Sequence, residues 1–153
     1  MKSIEGNFDN PEVYELLIKH FIELSSVSPV CKGHVLDIPG LKDPSIKFWS
    51  FWKNDQLMGC GALKFLDTEH GEFKSIRLAD KFRKQDNGIK VIKDLIYRAK
   101  KLNIKKISLE TGSGNFFIPA RKLFIKCGFK VCKPFSHYKK DSEACYMSML
   151  ISN

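Results

Sequence analysis

Polar and apolar positions along the chain change period several times. From Asn10 the pattern is helical. Asn10 suits an N-cap and Pro11 the first helical position, and Glu12 and Glu15 meet the positive end of the helix dipole. Val13, Leu17, Phe21 and Leu24 then recur at helical spacing, and Ser-Val-Ser-Pro at 26–29 ends the run. Residues 30–45, with Pro39, Gly40 and Pro44, read as a loop. The aromatic and β-branched run 46–52 predicts a strand, 53–56 a turn, and 57–66 the return strand of a hairpin. Gly59 and Gly61 inside that strand mark a bulge or a close backbone approach. Residues 71–79 predict a third strand.

The period then becomes helical again. Ile89, Ile92, Leu95, Ile96, Ala99 and Leu102 form one stripe with lysines opposite, so 88–102 predicts an amphipathic helix. A short strand follows at 105–110, then a helix within 117–129, with Pro119 near its start and Gly128 past its end. Strands near 129–133 and 144–151 close the chain. Strand, helix and strand over 72–110 form a crossover whose two strands should be parallel neighbours. The expected class is α/β (α+β), a mixed sheet with helices on both faces.

Composition narrows this picture. The 153 residues suit a single domain, 1–153, with 43% apolar and 28% charged positions, which excludes collagen-like and disordered chains. No apolar run reaches the roughly 18 residues of a membrane span, and the N-terminus lacks the apolar core of a signal peptide, so a soluble cytoplasmic protein with no membrane partner is expected. Cys31, Cys60, Cys127, Cys132 and Cys145 are odd in number and hold no C-x-x-C pair, which argues for free thiols and for no metal. The net charge of +9 comes from 22 lysines and only 4 arginines against 17 acids. That is a general positive field suited to anionic ligands, with no nucleic-acid recognition motif, so no nucleic-acid partner is expected.

The crossover offers an anion site where the loop after its first strand meets the helix N-terminus. That loop carries Lys81, Arg83 and Lys84, with Lys90 one turn on. Arg83-Lys84-Gln85-Asp86-Asn87-Gly88 resembles the Arg/Gln-x-x-Gly-x-Gly/Ala pattern through which GCN5-related N-acetyltransferases (the GNAT family) bind acetyl-CoA. HGEFKSIRLADKFR at 70–83 resembles the family's fourth strand and turn. ISLETGSGNFFIPARKLFIKCGFKVCKPF at 107–135 resembles its second signature. With HVLDI, FWSFW, GCGALK and CYMSML, the chain is similar to small stand-alone bacterial members over about residues 10–151.

The resemblance implies a mostly antiparallel mixed sheet with a central, splayed parallel strand pair. It implies transfer of an acetyl group from acetyl-CoA to a primary amine of a small-molecule acceptor, without a covalent enzyme intermediate. The pantetheine arm would pair with the backbone of Ile76, Arg77 and Leu78, and an N–H near Leu78 would polarise the thioester carbonyl. N–H groups of Lys84, Gln85, Asp86, Asn87, Gly88 and Ile89 would hold the pyrophosphate beside Arg83, and Asn115, Ala120 and Phe124 would flank the arm. Glu72 is the first candidate general base and Glu110 the second, Glu110 being also a plausible structural acceptor. His34, Trp49, Ser75, Arg77, Phe117 and Tyr138 are candidates for the acceptor pocket. Simple alternation puts Ser75 and Arg77 on one face, opposite Lys74 and Ile76. Arg77 on a buried strand needs an anionic partner, a substrate carboxylate or a protein one such as Glu110.

His20 is expected on the surface of the first helix. Two positions depart from the family pattern. Asp86 stands where a glycine is expected, and Phe124 where a tyrosine usually protonates the departing thiolate. They motivate an alternative, a degenerate member with weak or no CoA binding that serves as a binding or scaffold protein. Relatives often pair, so a homodimer is one assembly the resemblance allows.

Overall fold

The computed structural model describes residues 1–27, 36–84 and 86–152. One seven-stranded sheet runs in the order β1-β2-β3-β4-β5-β7-β6. Its strands are β1 (Lys2–Glu5), β2 (Ile46–Lys53), β3 (Gln56–Phe65), β4 (His70–Leu78), β5 (Lys106–Gly112), β6 (Lys130–Cys132) and β7 (Ala144–Leu150). Every neighbouring pair is antiparallel except β4 and β5, the parallel pair of the crossover. The helices are α1 (Pro11–Val27), α2 (Ile38–Leu41), α3 (Asn87–Lys101) and α4 (Ile118–Lys126).

The expected elements form within a residue or two of their anticipated bounds, except that the run 117–129 splits. Its first residue closes a 3-10 turn, Asn115–Phe117, its last lie beyond α4, and Gly128 ends it at φ 104°. At the other end of the chain, Asn10 Oδ1 accepts from the Glu12 and Val13 amides at 2.9 and 3.3 Å, capping α1 as its sequence demands. Asn54 and Asp55 both take positive φ, 50° and 60°, which fits the twist of the β2–β3 hairpin. Two elements differ from expectation. β1 carries one strongly apolar residue and is held by pairing with β2 rather than by its own pattern. α2 lies inside the stretch read as loop; Asp37 Oδ1 accepts from the Gly40 amide at 2.8 Å, and Leu41 is buried.

Helices cover both faces. On one, α1 and α2 bury Val13, Leu17, Leu41, Phe48, Leu57, Cys60 and Ala62. On the other, α3 and α4 bury Trp49, Phe51, Leu63, Phe73, Leu95, Leu109 and Phe124. The stripe that α1 turns to the sheet is Val13, Leu16, Leu17 and His20. It is rotated from the one read from Val13, Leu17, Phe21 and Leu24, and it corrects the placement of His20, which is buried.

β4 does not alternate simply. Ser75 has φ 54°, and Ser75 and Ile76 together lie opposite Gly61, a β-bulge. The buried Cys60 thiol donates to the Ser75 carbonyl at 3.3 Å. The extra residue turns Ile76 and Leu78 toward the α3 cluster with Phe73, and Arg77 toward α1. Lys74 and Arg77 therefore share a face, where alternation separates them.

Candidate active site

The β4–β5 ladder runs only from His70↔Lys106 to Phe73↔Leu109. Beyond the bulge the strands part, and a cavity of about 570 Å³ opens between them. Residues from α1, β4, β5, the turn before α4, α4 itself and the N-terminus of α3 line it.

On the α1 face, Glu72 is 1% exposed and closes a small network. The Tyr138 hydroxyl donates to Glu72 Oε2 at 2.5 Å, and Lys74 Nζ donates to the same oxygen at 3.2 Å and to the Tyr138 oxygen at 3.0 Å. Glu72 Oε1 is buried with no hydrogen-bond partner. Burial and the Glu72 carboxylate push the Tyr138 phenol far above its ordinary value, so it stays a donor. Nearer the bulge, Arg77 Nη2 donates to Glu23 Oε2 on α1 at 2.5 Å. Its partner is thus Glu23, which sequence reasoning did not single out, rather than Glu110. The Arg77 bond holds the Glu23 carboxyl below the usual carboxylate range. His20 lines the cavity beside this pair, and burial, then the Arg77 charge, lowers it to about 4, so it is neutral at pH 7.

At the mouth, α3 begins after Asp86, whose side chain is exposed and caps nothing. The first-turn N–H groups therefore keep no side-chain acceptor from that residue, a feature that suits an incoming anion. Asn87 Nδ2 donates to the Phe82 and Lys84 carbonyls at 3.1 and 3.0 Å and shapes the turn. A Cβ on Gly88 would lie 2.6 Å from Leu123 Cδ2, so glycine there lets α3 and α4 approach. On α4, Phe124 packs edge-on to Phe129, its ring 5.6 Å away.

Of the residues anticipated from sequence, Glu72, Ser75, Ile76, Arg77, Leu78, Arg83, Gly88, Glu110, Phe117, Ala120 and Phe124 line the cavity. Glu110 is half-buried, and Asp86, Asn87, Ile89 and Asn115 head α3 and the turn before α4. Trp49 does not line it. Its ring is buried in the α3 cluster, with the Arg98 guanidinium 5.3 Å from its centre. Tyr138 does not line it; its hydroxyl bonds Glu72, which does. His34 and Gln85 lie outside the described residues. His20, Glu23, Thr111 and Phe116 were missed; for His20 the signal was its i+7 spacing from Val13. Among the described residues, no cluster of three or more His, Cys, Asp or Glu is placed to hold a metal ion, and no helix is long and apolar enough to cross a membrane.

A mixed sheet that parts at its one parallel pair, with a helix N-terminus at the opening, defines an acyl-CoA N-acyltransferase architecture. The sequence agrees: the model of the acetyltransferase (GNAT) family matches residues 10–129, and the chain belongs to that family of N-acetyltransferase enzymes. It is 40% identical over 137 residues to the uncharacterized N-acetyltransferase YsnE of Bacillus subtilis (strain 168), covering 90% of this chain and 91% of that one. It is 34% identical over 142 residues to the uncharacterized N-acetyltransferase YedL of Escherichia coli (strain K12), covering 93% and 89%. Among solved structures, a Bacillus subtilis acetyltransferase in complex with CoA superposes with TM-score 0.71 at 18% identity, over 99% of each chain.

Proposed function

We propose that the protein moves the acetyl group of acetyl-CoA directly to the primary amine of a small molecule. The observation that carries this reading is the parting of β4 from β5 after Phe73↔Leu109, around a cavity that reaches the N-terminus of α3. Backbone groups of Ile76 to Leu78, freed from the ladder, suit the pantetheine arm, and the first turn of α3 with Arg83 suits the pyrophosphate. The neighbour of known structure that is described with CoA bound supports the same assignment.

In this reading an ammonium acceptor first loses a proton to Glu72, directly or through water; Glu110 is the second candidate. The amine nitrogen attacks the thioester carbonyl carbon, and an N–H near Leu78 stabilises the developing oxyanion. The C–S bond then breaks and the electron pair leaves on sulfur as thiolate. Phe124 carries no proton to give, so water supplies it. The degenerate alternative rests on Asp86 and Phe124 and gains no support from an Asp86 side chain that is exposed to water.

The test is a thermal melt with acetyl-CoA and with free CoA. A ligand at about 100 times its Kd stabilises by roughly 2.7 kcal/mol, which for a chain of this size is a shift of about 5–10 °C. No shift at millimolar ligand would replace the transferase reading with a binding role. A shift is followed by thiol release on an amine panel.

A further inference from the structure

Among the described residues, the buried side-chain polar atoms without a hydrogen-bond partner are Ser25 Oγ, Glu72 Oε1 and Arg77 Nε. Two of them belong to residues of β4 that line the same cavity and face α1. Leaving such a group unpaired is unfavourable, and it persists in a native fold where a ligand or water completes it. The two atoms are opposite in kind. The carboxylate oxygen calls for a donor, best a cation. The guanidinium, bound to Glu23 through one nitrogen only, keeps its Nε edge for an acceptor, best an anion.

The charges around each atom point the same way. Near Arg77 the cations Lys19, Arg77 and Arg83 meet the carboxylates Glu23 and Asp80, and His20 beside them is neutral at pH 7. That end has one positive charge in excess. Near Glu72 the charges of Glu72 and Glu110 both raise Tyr138, and Lys74 is paired with Glu72 through Oε2. Of the Glu72 oxygens, Oε1 is the acceptor still without a donor. Lys122 and Lys126 line the α4 wall, on the side suited to CoA.

We infer that the acceptor is a zwitterion of amino-acid type, its ammonium directed to Glu72 and its carboxylate to Arg77. This rests on the acetyl-transfer reading and names the substrate class for it. The bulge at Ser75 is what makes the pairing available, because a regular strand would place Arg77 on the opposite face from Glu72. The two are five positions apart on β4, at most about 16 Å along the strand. Both α-amino acids and longer ω-amino acids therefore fall within the class.

The experiment is thiol release from acetyl-CoA with matched acceptors: amino acids of both kinds, their carboxamides and their decarboxylated amines. The acid is expected to exceed its amide and amine in kcat/KM by about tenfold or more, the scale on which buried charged groups left unpaired are felt. Arg77→Gln should bring the acid-to-amine ratio close to one, and Arg77→Lys should keep part of the preference. Equal use of acid and amine by the wild type, or a preference that survives Arg77→Gln, would overturn the inference. If Arg77→Gln does not fold, the wild-type panel decides alone. A second readout needs no turnover: melting of the CoA-loaded protein with each acceptor. Stabilisation by the acid and not by its amine upholds the acceptor class even if no thiol appears, an outcome that would count against the transferase reading alone.

Discussion

The Tyr138 hydroxyl sits 2.5 Å from Glu72 Oε2, joining the loop between β6 and β7 to the start of β4, 66 residues apart in sequence. With Lys74 on the same oxygen, Tyr138 fixes the carboxylate plane and leaves Oε1 buried without a partner. If Glu72 takes the acceptor's proton, Glu72→Gln lowers kcat by about 10²–10⁴-fold and preserves the melting shift with acetyl-CoA. Tyr138→Phe removes the shorter of the two bonds. It should cost about 1–3 kcal/mol of stability, read as a lower Tm, and reduce kcat more than it raises the acceptor KM. A Glu72→Gln enzyme with full kcat would move the base to Glu110.

Gly112 ends β5 directly beneath Phe117. A Cβ there would fall 2.1 Å from Phe117 Cδ2, with three ring atoms within 2.7 Å. The ring is 8% exposed and forms part of the cavity wall, so it has little room to turn. Gly112→Ala therefore pushes Phe117 out of place. Overpacking of this kind costs about 1–3 kcal/mol, which corresponds to a fall of roughly 2–4 °C per kcal/mol. The acceptor KM should rise along with it. An unchanged Tm would show that the turn at 113–117 yields freely.

His20 gives the fold a dependence on pH. Its pKa is lowered from 6.5 to about 4, first by burial and then by Arg77. Glu23 opposes that shift and Arg83 adds to it. In the unfolded chain the imidazole protonates as pH drops below 6.5, whereas in the fold it stays neutral down to about 4. Between those values the unfolded state binds more protons, so stability is full above 6.5 and is lost as pH falls toward 4. The loss is on the order of 3 kcal/mol. Melting curves from pH 7.5 to 4.5 should fall more steeply for the wild type than for His20→Gln. Parallel slopes would mean that water reaches the ring.

Much of this molecule can be read from its sequence, because its strongest signals are local. The cap at Asn10, the stripe from Ile89 to Leu102 and the Gly128 stop act within a turn or two of the residues they govern. β1 and α2 were not legible for the opposite reason. β1 exists through pairing with β2, and α2 through Asp37 and the burial of Leu41. The site divides in the same way. Glu72 and the α3 N-terminus follow from the crossover and the family signature. The Arg77–Glu23 and Tyr138–Glu72 pairs join residues 54 and 66 positions apart, and no spacing rule reaches that far. The positive φ of Ser75 was the decisive hidden feature. A single extra residue reversed the face of every later side chain on β4.

Asp86 and Phe124 are positions where the sequence departs from the motifs it resembles, and their substitution tests separate steps. Asp86 precedes α3 with an exposed side chain that makes no cap bond, so removing its charge should spare the helix. Gain in acetyl-CoA affinity from Asp86→Asn should be modest. An exposed like charge near the phosphates is worth about 1 kcal/mol in water, roughly a fivefold lower Kd, and it should fade as salt is raised. Phe124 lines the cavity and is 7% exposed, so a hydroxyl at its ring edge has space on the cavity side only. Phe124→Tyr should raise kcat by up to about 10²–10⁴-fold where thiolate protonation limits the rate, with no change in the melting shift on acetyl-CoA. Kinetics of the two single variants and the double variant distinguish the effects. Asp86→Asn should act on the KM for acetyl-CoA and Phe124→Tyr on kcat, and the two should add, because one change eases donor binding and the other departure of the leaving group.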